Sequence, residues 1–335
     1  MPRTTIAING FGRIGRSAFK QLHEDPRFEV VGVNDLADVG DLGYLLRYDS
    51  VYGRYPHPVE ERSGALRVGD SDVAFFSERD PARIPWRDLG AEIVIEATGA
   101  FRSRAEAAGH LEAGASRVIV SAPSNDADAM FVMGVNETDY DPAKHQVVSN
   151  ASCTTNCLAP VAKVVDEAFG IESLMLTTVH AYTSSQSLVD TPARKRRRGR
   201  AAAVSIIPTT TGATQATERV LPRLAGKMNG MAMRVPVADG SVSDIVVTLA
   251  REASAADVNA ALEAAASKPP LERILRVTTD EIVSCDIIGD PASAVVDAPS
   301  TLELGRRVVK IIAWYDNEWG YAARLVDLAA HMAAR

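Results

Sequence analysis

The first half of the chain alternates short runs rich in β-branched residues with segments in which apolar residues recur at helical spacing. The β-branched runs predict buried strands over Thr4–Asn9, Phe28–Asn34, Ile93–Ala97 and Arg117–Ser121. The segments between them predict helices over Arg13–Leu22 and Ser103–Leu111. Strands that alternate with helices are typical of βαβ units, because neighbouring parallel strands need a crossover connection. We therefore expect a parallel sheet in this half.

The pattern changes after about residue 150, where the candidate strands become longer. They cover Leu174–His180, Met231–Val237, Asp244–Ala250 and Arg307–Trp314. Helical stretches such as Ala255–Ser267 separate them. This order predicts an α+β domain on a mainly antiparallel sheet. The final segment, Tyr321–Ala333, has helical spacing of apolar residues and is predicted to pack back on the first domain.

The composition excludes several classes of protein. No apolar run is long enough to span a bilayer, and the N-terminus lacks the features of a secretory signal, so we expect a cytoplasmic protein. Three cysteines are too few for a disulfide framework. The net charge of −7 disfavours attraction of the whole surface to nucleic acid or anionic lipid. Any anion is therefore expected to bind at a local site.

The stretch NGFGRIG, residues 9–15, follows the first predicted strand and opens a helix. Its glycines, Gly10, Gly12 and Gly15, have the GxGxxG spacing. Gly10 suits a tight turn, Gly12 lets the main chain approach a pyrophosphate, and Gly15 permits close contact between helix and strand. The helix N-terminus supplies amide donors to an anion. An ordinary glycine turn is the alternative, since the spacing alone is a weak signal.

An acidic residue follows the second strand at the distance that dinucleotide binding requires. Asp35 lies 25 residues after Gly10, where a carboxylate accepts hydrogen bonds from the adenosine ribose and repels a 2′-phosphate. A turn residue is the alternative. Together with the glycine loop, Asp35 favours NAD over NADP. We predict an α/β protein with a Rossmann-type doubly wound parallel sheet over 1–150, a catalytic domain over 151–318 and a C-terminal helix over 319–335.

The stretch ASCTTNC, residues 151–157, supplies the candidate nucleophile. A helix capped by Ser152 or Asn150 would place the Cys153 thiol near backbone amides, which favour the thiolate. Pro160 is more usual in a first turn, so the start of the helix stays open. A zinc site would need ligands that no CxxC or HExxH motif provides. A small buried hydrophobe is the other interpretation of Cys153 and the better one for Cys157.

The candidate base is His180, at the end of a predicted strand whose alternation would carry it to the rim of the sheet. An imidazole can take the proton of a thiol because its pKa lies near neutral pH. A lone histidine at the end of a strand is often structural, so this prediction depends on its pairing with Cys153.

The chain resembles phosphorylating glyceraldehyde-3-phosphate dehydrogenases over essentially its full length. The matching strings are NGFGRIGR (9–16), SERDP (77–81), ATGAF (97–101), SAPS (121–124), FVMGVN (131–136), SNASCTTNCLAP (149–160), TTVHAYT (177–183), IIPTTTGA (206–213), GMAMRVP (230–236) and WYDNEWGY (314–321). The cysteine string and the C-terminal string are the most specific.

This resemblance implies a role for each matching residue. Cys153 would be the nucleophile, and His180 the base that also steadies the oxyanion. NAD would be held by Gly10, Gly12, Arg13, Ile14, Gly15, Asp35, Arg79, Ser121 and Asn317. The phosphate of glyceraldehyde 3-phosphate would bind Thr183 and Arg234, and inorganic phosphate would bind Ser152, Thr154, Thr211 and Gly212. Viewed alone, the TTTG string is equally a capping turn, and Arg234 is equally half of an internal ion pair.

The implied reaction passes through a covalent intermediate, and the resemblance further implies a homotetramer. A thiolate attacks the aldehyde, the hemithioacetal gives up a hydride, and phosphate cleaves the resulting thioester to an acyl phosphate.

The loop after His180 departs from relatives that prefer NAD, because Thr191 precedes Pro192 and a basic run covers Arg194–Arg198. We therefore expect NAD preference with some NADP tolerance. A solvated loop or a subunit contact explains the basic run better than a nucleic-acid patch.

Three other functions compete with this interpretation. Erythrose-4-phosphate dehydrogenase shares the thiol and the histidine, but the TTTG string favours the triose. A semialdehyde dehydrogenase also joins a glycine loop to a cysteine, but it does not share the WYDNEWGY string. A non-catalytic protein that binds NAD or RNA would not need both Cys153 and His180.

Overall fold

The computed structural model describes residues 3–335, which divide into two compact units. The first unit comprises residues 3–131, 137–151 and 322–335, and the second comprises residues 132–136 and 152–321. The predicted fold class is confirmed, whereas the predicted domain boundaries at residues 150 and 318 stay a prediction. No helix within residues 3–335 combines the length and apolar character needed to cross a membrane.

The first unit is built on a nine-stranded sheet with a separate two-stranded ribbon. Its strands are β1 (Thr4–Asn9), β2 (Phe28–Asn34), β3 (Tyr48–Asp49), β4 (Gly53–Arg54), β5 (Val59–Arg62), β6 (Ala65–Val68), β7 (Ser71–Phe76), β8 (Ile93–Glu96), β9 (Arg117–Val120), β10 (Ala129–Met130) and β11 (Val147–Ser149). The order in the sheet is β10-β11-β9-β8-β1-β2-β7-β6-β5, while β3 pairs with β4. Every pair from β10 to β7 is parallel, and β5 and β6 extend the sheet as an antiparallel edge.

The helices in the N-terminal part of the chain are α1 (Arg13–Glu24), α2 (Val39–Arg47), α3 (Arg104–Ala107) and α4 (Gly109–Glu112). The prediction of a single helix over residues 103–111 is wrong in one respect, because the structure divides this segment into α3 and α4. Helix α1 buries Phe19 and Leu22, which leave almost no surface exposed. This apolar face is what the helical spacing predicts.

The register of the parallel strands brings three polar residues together. Asn9 of β1 pairs with Asn34 of β2 on one side and with Glu96 of β8 on the other. Each lies at the carboxyl end of its strand, the edge at which open α/β sheets bind ligands.

The second unit contains an eight-stranded sheet. Its strands are β12 (Ile171–Ala181), β13 (Ile207–Thr210), β14 (Met228–Val235), β15 (Ser241–Leu249), β16 (Leu275–Thr278), β17 (Ala294–Asp297), β18 (Leu302–Leu304) and β19 (Val308–Tyr315). The order is β13-β14-β12-β15-β19-β17-β16, and β18 also pairs with β19. Only the pairs β12–β14 and β16–β17 are parallel, so the mainly antiparallel character is confirmed.

The remaining helices are α5 (Cys153–Phe169), α6 (Ala213–Val220), α7 (Ala255–Ala266) and α8 (Trp319–Ala333). Helix α5 begins at Cys153 and contains Pro160 in its interior. The start of this helix, which the sequence left open, is thereby settled. In the first unit, the guanidinium of Arg117 donates to the carbonyl of Met332 in the last turn of α8.

Candidate active site

The glycine loop lies between β1 and α1 and has little room for side chains at two positions. Gly10 has a φ of 94°, and a Cβ there would lie 2.5 Å from the amide nitrogen of Thr98. A Cβ at Gly15 would lie 2.0 Å from the carbonyl oxygen of Gly10. Around Gly12, which caps α1, a Cβ would meet no atom within 4 Å. The loop is therefore closely packed on its inner side and open where the helix begins.

The carboxylate of Asp35 joins this loop to the turn that follows β2. Its Oδ2 accepts from the amide of Phe11 at 2.7 Å, and its Oδ1 accepts from the amide of Ala37 at 3.0 Å. Each carboxylate oxygen can accept a further hydrogen bond. Asp35 lines a cleft of about 450 Å³ whose walls are Asn9, Gly10, Gly12, Asn34, Asp35, Leu36, Glu78, Arg79, Ala97, Thr98, Ala100 and Phe101.

The other predicted cofactor residues of the first unit differ in their surroundings. Arg79 is exposed on the wall of the cleft. Arg13 and Ile14 open α1, and the Arg13 guanidinium lies 2.8 Å from Asp49. Although burial opposes the shift, hydrogen bonding from Arg13 lowers the pKa of Asp49 to about 2. Ser121 follows β9, and its amide donates to the carbonyl of Glu96.

In the second unit, Cys153 is the first residue of the 17-residue helix α5. The hydroxyl of Ser152 caps this helix by accepting from the amide of Thr155 at 3.1 Å. At this end of a helix the amide groups and the dipole favour a negative charge on the sulfur. Cys153 as a residue is half-buried.

The structure brings Cys153 and His180 together. The sulfur lies 3.4 Å from Nε2 of His180, which stands near the end of β12 and is only 4% exposed. Burial, reinforced by the positive charge of Arg234, lowers the pKa of His180 to about 3. Burial raises the pKa of the Cys153 thiol, and the charge of Arg234 opposes that shift. The imidazole is therefore neutral near pH 7; with its proton on Nδ1, which lies 2.8 Å from the carbonyl of Ala181, its Nε2 can accept the thiol proton.

Arg234 is the register partner of His180 on the neighbouring parallel strand β14. Its Nη1 lies 2.6 Å from Nδ1 of His180 and donates to the carbonyl of Ala181 at 2.7 Å. Within residues 3–335, no carboxylate pairs with Arg234 and its buried Nε has no hydrogen-bond partner. The internal ion pair considered for Arg234 is therefore wrong. A partly buried guanidinium without an anionic partner is suited to binding an anionic ligand.

Arg198 is a second cation of this kind, and the sequence analysis missed it as a site residue. Its Nε donates to Thr209 at 3.1 Å and its Nη1 to Ser185 at 3.3 Å. Ser185 in turn bonds the hydroxyl of Thr183 at 2.8 Å. Burial lowers the pKa of Arg234, and the positive charge of Arg198 adds to that shift. In the sequence, Arg198 looked like any other member of the basic run.

The remaining predicted anion ligands have local partners. The hydroxyl of Thr154 lies 3.0 Å from the hydroxyl of Tyr315, which also bonds Thr178 at 2.8 Å. The Tyr315 ring packs edge-on against His180, so this tyrosine supports both Thr154 and His180. The sequence did not identify Tyr315 as a site residue. Thr211 accepts from the amide of Ala213 at the start of α6, where Gly212 is the capping residue. The capping turn considered for TTTG is therefore present.

Asn317 follows β19 and is buried. Its amide oxygen accepts from the hydroxyl of Ser241 at 2.5 Å, and Ser241 accepts from the amide of Ala181 at 3.1 Å. The side chain of Asn317 is thereby tied to the strand that carries His180.

Two family models match the chain. Residues 4–104 match the NAD-binding domain of glyceraldehyde 3-phosphate dehydrogenase, and residues 152–317 match its C-terminal domain. The glyceraldehyde-3-phosphate dehydrogenase of Streptomyces coelicolor is 53% identical over 96% of both chains. Those of Geobacillus stearothermophilus and Bacillus subtilis are each 51% identical over 98% of both chains.

The chain belongs to the glyceraldehyde 3-phosphate dehydrogenase family.

Within this family fold, the glycine loop offers a matched pair of substitutions. We expect Gly15→Ala to lower the free energy of unfolding by about 1–3 kcal/mol, because its Cβ would overlap the Gly10 carbonyl. We expect Gly12→Ala to change it by less than about 1 kcal/mol but to weaken NAD binding, since its Cβ enters the open space at the helix N-terminus. Urea unfolding and calorimetric titration with NAD measure the two effects. Equal destabilisation by both variants would contradict this account.

Proposed function

We propose that this protein is an NAD-dependent phosphorylating dehydrogenase that reversibly oxidises D-glyceraldehyde 3-phosphate to 1,3-bisphosphoglycerate. One observation carries the proposal: the Cys153 sulfur lies 3.4 Å from a buried, neutral imidazole, which the unpaired guanidinium of Arg234 contacts. A nucleophile, a base and a cation for the substrate phosphate are then present together. The names of the curated relatives, glyceraldehyde-3-phosphate dehydrogenase, support the same substrate for this chain.

The protein supplies the acid–base and covalent steps. His180 accepts the Cys153 proton as the sulfur attacks the aldehyde carbon, and the protonated imidazole then donates to the oxyanion of the hemithioacetal. Loss of a hydride from the carbon and of the hydroxyl proton to His180 then leaves a thioester on Cys153. Attack by inorganic phosphate on the thioester carbonyl breaks the carbon–sulfur bond, returns the thiolate and releases the acyl phosphate.

The first unit has the features that NAD binding requires. Gly10 and Gly15 leave no room for side chains, Gly12 faces open space at a helix N-terminus, and the Asp35 carboxylate reaches the same cleft. These residues, with Arg13, Ile14, Arg79, Ser121 and Asn317, would hold the cofactor. When bound, NAD serves as the acceptor for the hydride that the hemithioacetal loses.

Arg234 and Arg198, neither of which has a carboxylate partner among the described residues, support two anion sites. Arg234, with Thr183, would hold the phosphate of the aldehyde. Arg198 would supply the cation for inorganic phosphate, alongside the hydroxyl and amide donors of Ser152, Thr154, Thr211 and Gly212. Charge-assisted hydrogen bonds from arginine suit phosphate oxygens because the guanidinium donors are fixed in direction.

NADH formation from glyceraldehyde 3-phosphate tests the proposal, with inorganic phosphate present or withheld. We expect steady turnover only with phosphate, and we expect Arg198→Gln to raise the KM for phosphate about 10-fold or more, since it removes charge-assisted hydrogen bonds. Arg196→Gln, which changes an exposed arginine of the same run, is the matched control and should behave like the parent. Turnover that ignores phosphate would contradict the proposal.

The cofactor preference, the oligomeric state and the location of the protein belong to the same proposal. Asp35 supports NAD preference, and comparison of kcat/KM for NAD and NADP tests the tolerance that Thr191 and the basic run would allow. The homotetramer follows from the resemblance alone, and light scattering in solution would test it. The cytoplasmic location stays an expectation from the sequence.

A further inference from the structure

Five buried side chains form a continuous hydrogen-bonded chain beneath the dinucleotide cleft. We call this set the Glu96 network; its members are Asn9, Asn34, Trp86, Glu96 and His110, and each is at most 3% exposed. No step of the reaction described above uses Trp86, Glu96 or His110. Buried polar groups of this kind are costly unless every one of them is satisfied, so their arrangement calls for an explanation.

The direction of the hydrogen bonds is set at one end by Trp86. Its Nε1 lies 3.0 Å from Nδ1 of His110. An indole nitrogen only donates, so Nδ1 must accept, and His110 is a neutral imidazole with its proton on Nε2. That Nε2 lies 3.0 Å from Oε2 of Glu96 and donates to it.

The direction is set independently at the other end by the backbone of Glu78. The Glu78 amide donates to Oδ1 of Asn34 at 2.8 Å, and Nδ2 of Asn34 donates to the Glu78 carbonyl at 2.9 Å. The same Nδ2 donates to Oδ1 of Asn9 at 2.7 Å. Nδ2 of Asn9 then donates to Oε2 of Glu96 at 2.5 Å. Both ends of the network therefore converge on Glu96 as an acceptor.

The second oxygen of Glu96 also receives donors. The Thr98 amide donates to Oε1 at 2.9 Å, and the Thr98 hydroxyl, which accepts from the amide of Ala100, contacts the same oxygen. The carboxyl group of Glu96 therefore accepts hydrogen bonds at both oxygens. Since His110 is neutral, no cation pairs with Glu96 within residues 3–335. The network is thus centred on a buried carboxyl group that hydrogen bonds alone stabilise.

Two members of this network and two of the residues that bond to it are walls of the cleft. Asn9, Asn34, Glu78 and Thr98 all line it, and the Thr98 amide is the group against which Gly10 packs. We propose that Glu96 and His110 are positioning residues of the dinucleotide site: the Glu96 carboxyl group, held by the Nε2–H tautomer of His110, fixes the side chains and amides that would contact NAD. This inference rests on the NAD binding proposed above.

Isosteric substitutions separate hydrogen-bond direction from shape. Glu96→Gln replaces one carboxyl oxygen with an NH2 group, which then faces a pair of donors. If the Asn9 amide flipped to compensate, the Asn34 amide would have to flip too. Asn34 would then present its NH2 group to the Glu78 amide and its oxygen to the Glu78 carbonyl. His110→Leu removes the donor to Glu96. His110→Gln keeps one donor and one acceptor in a neutral side chain and is the conservative rescue. Val118→Ala, in an apolar cluster of β9 with Ala107, Val120 and Val147, is a control for loss of stability alone.

Two readouts test the proposal: the Kd for NAD by calorimetry at a temperature where every variant is folded, and exchange of the Glu78 amide hydrogen in cofactor-free protein. We expect Glu96→Gln and His110→Leu to weaken NAD binding about 10-fold or more and to speed the exchange. We expect His110→Gln and Val118→Ala to remain within about threefold of the parent in both.

Parent-like affinity and exchange in Glu96→Gln would overturn the inference, as would His110→Gln being as damaging as His110→Leu. Equal loss of affinity in Val118→Ala would also overturn it, because destabilisation alone would then explain the effect. The exchange readout needs no cofactor. If the parent protein failed to bind NAD, the proposed function would fall, while faster exchange in Glu96→Gln would still support the network.

Discussion

Replacing Cys153 with serine is expected to lower kcat about 10³-fold or more, with the affinity for NAD unchanged. A serine hydroxyl is far less acidic than a thiol. The neutral His180 would have to remove a proton that an alkoxide binds much more tightly than an imidazole does. The thioester, which phosphate cleaves readily, would also become an ordinary ester. The cofactor cleft of the first unit is unaffected because none of its walls includes Cys153.

Single-turnover formation of NADH and calorimetric titration with NAD measure the two halves of this prediction. Cys285→Ser is the matched control, because it changes another cysteine that is exposed. It should leave kcat within about twofold of the parent. A Cys153→Ser variant that retained a tenth or more of the parental kcat would contradict the assignment of the nucleophile.

Replacing His180 with asparagine is expected to lower kcat about 10²–10⁴-fold, the usual contribution of a positioned general base. The imidazole is neutral near pH 7, because burial lowers its pKa to about 3, and its Nε2 lies 3.4 Å from the sulfur. Asparagine can donate a hydrogen bond to the oxyanion but cannot take the thiol proton. Attack by the sulfur should therefore become the slow step.

Alkylation of Cys153 by iodoacetamide, a neutral reagent that needs no anion site, isolates the proton transfer from turnover. We expect His180→Asn to slow this alkylation at pH 7. His57→Asn, a change to a partly exposed histidine of the first unit, is the control and should alkylate at the parental rate. An unchanged alkylation rate in His180→Asn would show that another group takes the proton.

Much of the parallel sheet could be predicted because its strands are short, β-branched and buried. The predicted bounds of β1 and β2, Thr4–Asn9 and Phe28–Asn34, are those of the structure. Residues 103–111 kept a helical pattern, yet the helix breaks near Gly109, which packs closely against Pro81. This contact depends on tertiary structure, so the local sequence does not indicate the break in the helix.

The start of α5 shows a similar limit. Local preference places a proline in the first turn of a helix, but Pro160 lies in the interior of α5 and is buried. Tertiary packing therefore outweighs the local cost, and the cap supplied by Ser152 determines where the helix begins.

The candidate site was only partly predictable. Cys153 and His180 were identified by their chemistry, but the roles of their neighbours depend on contacts that a single strand does not reveal. Arg198 is a candidate ligand within the basic run because the fold places its guanidinium against both Thr209 and Ser185. Tyr315 matters because the sheet brings its hydroxyl between Thr154 and Thr178. Such juxtapositions follow from register and packing, which sequence periodicity does not encode.

Mass spectrometry of Cys153 during a single turnover tests whether this thiol carries the acyl intermediate. Protein loaded with NAD would be mixed with glyceraldehyde 3-phosphate without inorganic phosphate and quenched in acid. We expect an acyl group on the peptide that contains Cys153, formed together with NADH and lost as acyl phosphate when phosphate is added. NADH formation with Cys153 left unmodified, or an acyl group that phosphate does not remove, would contradict it.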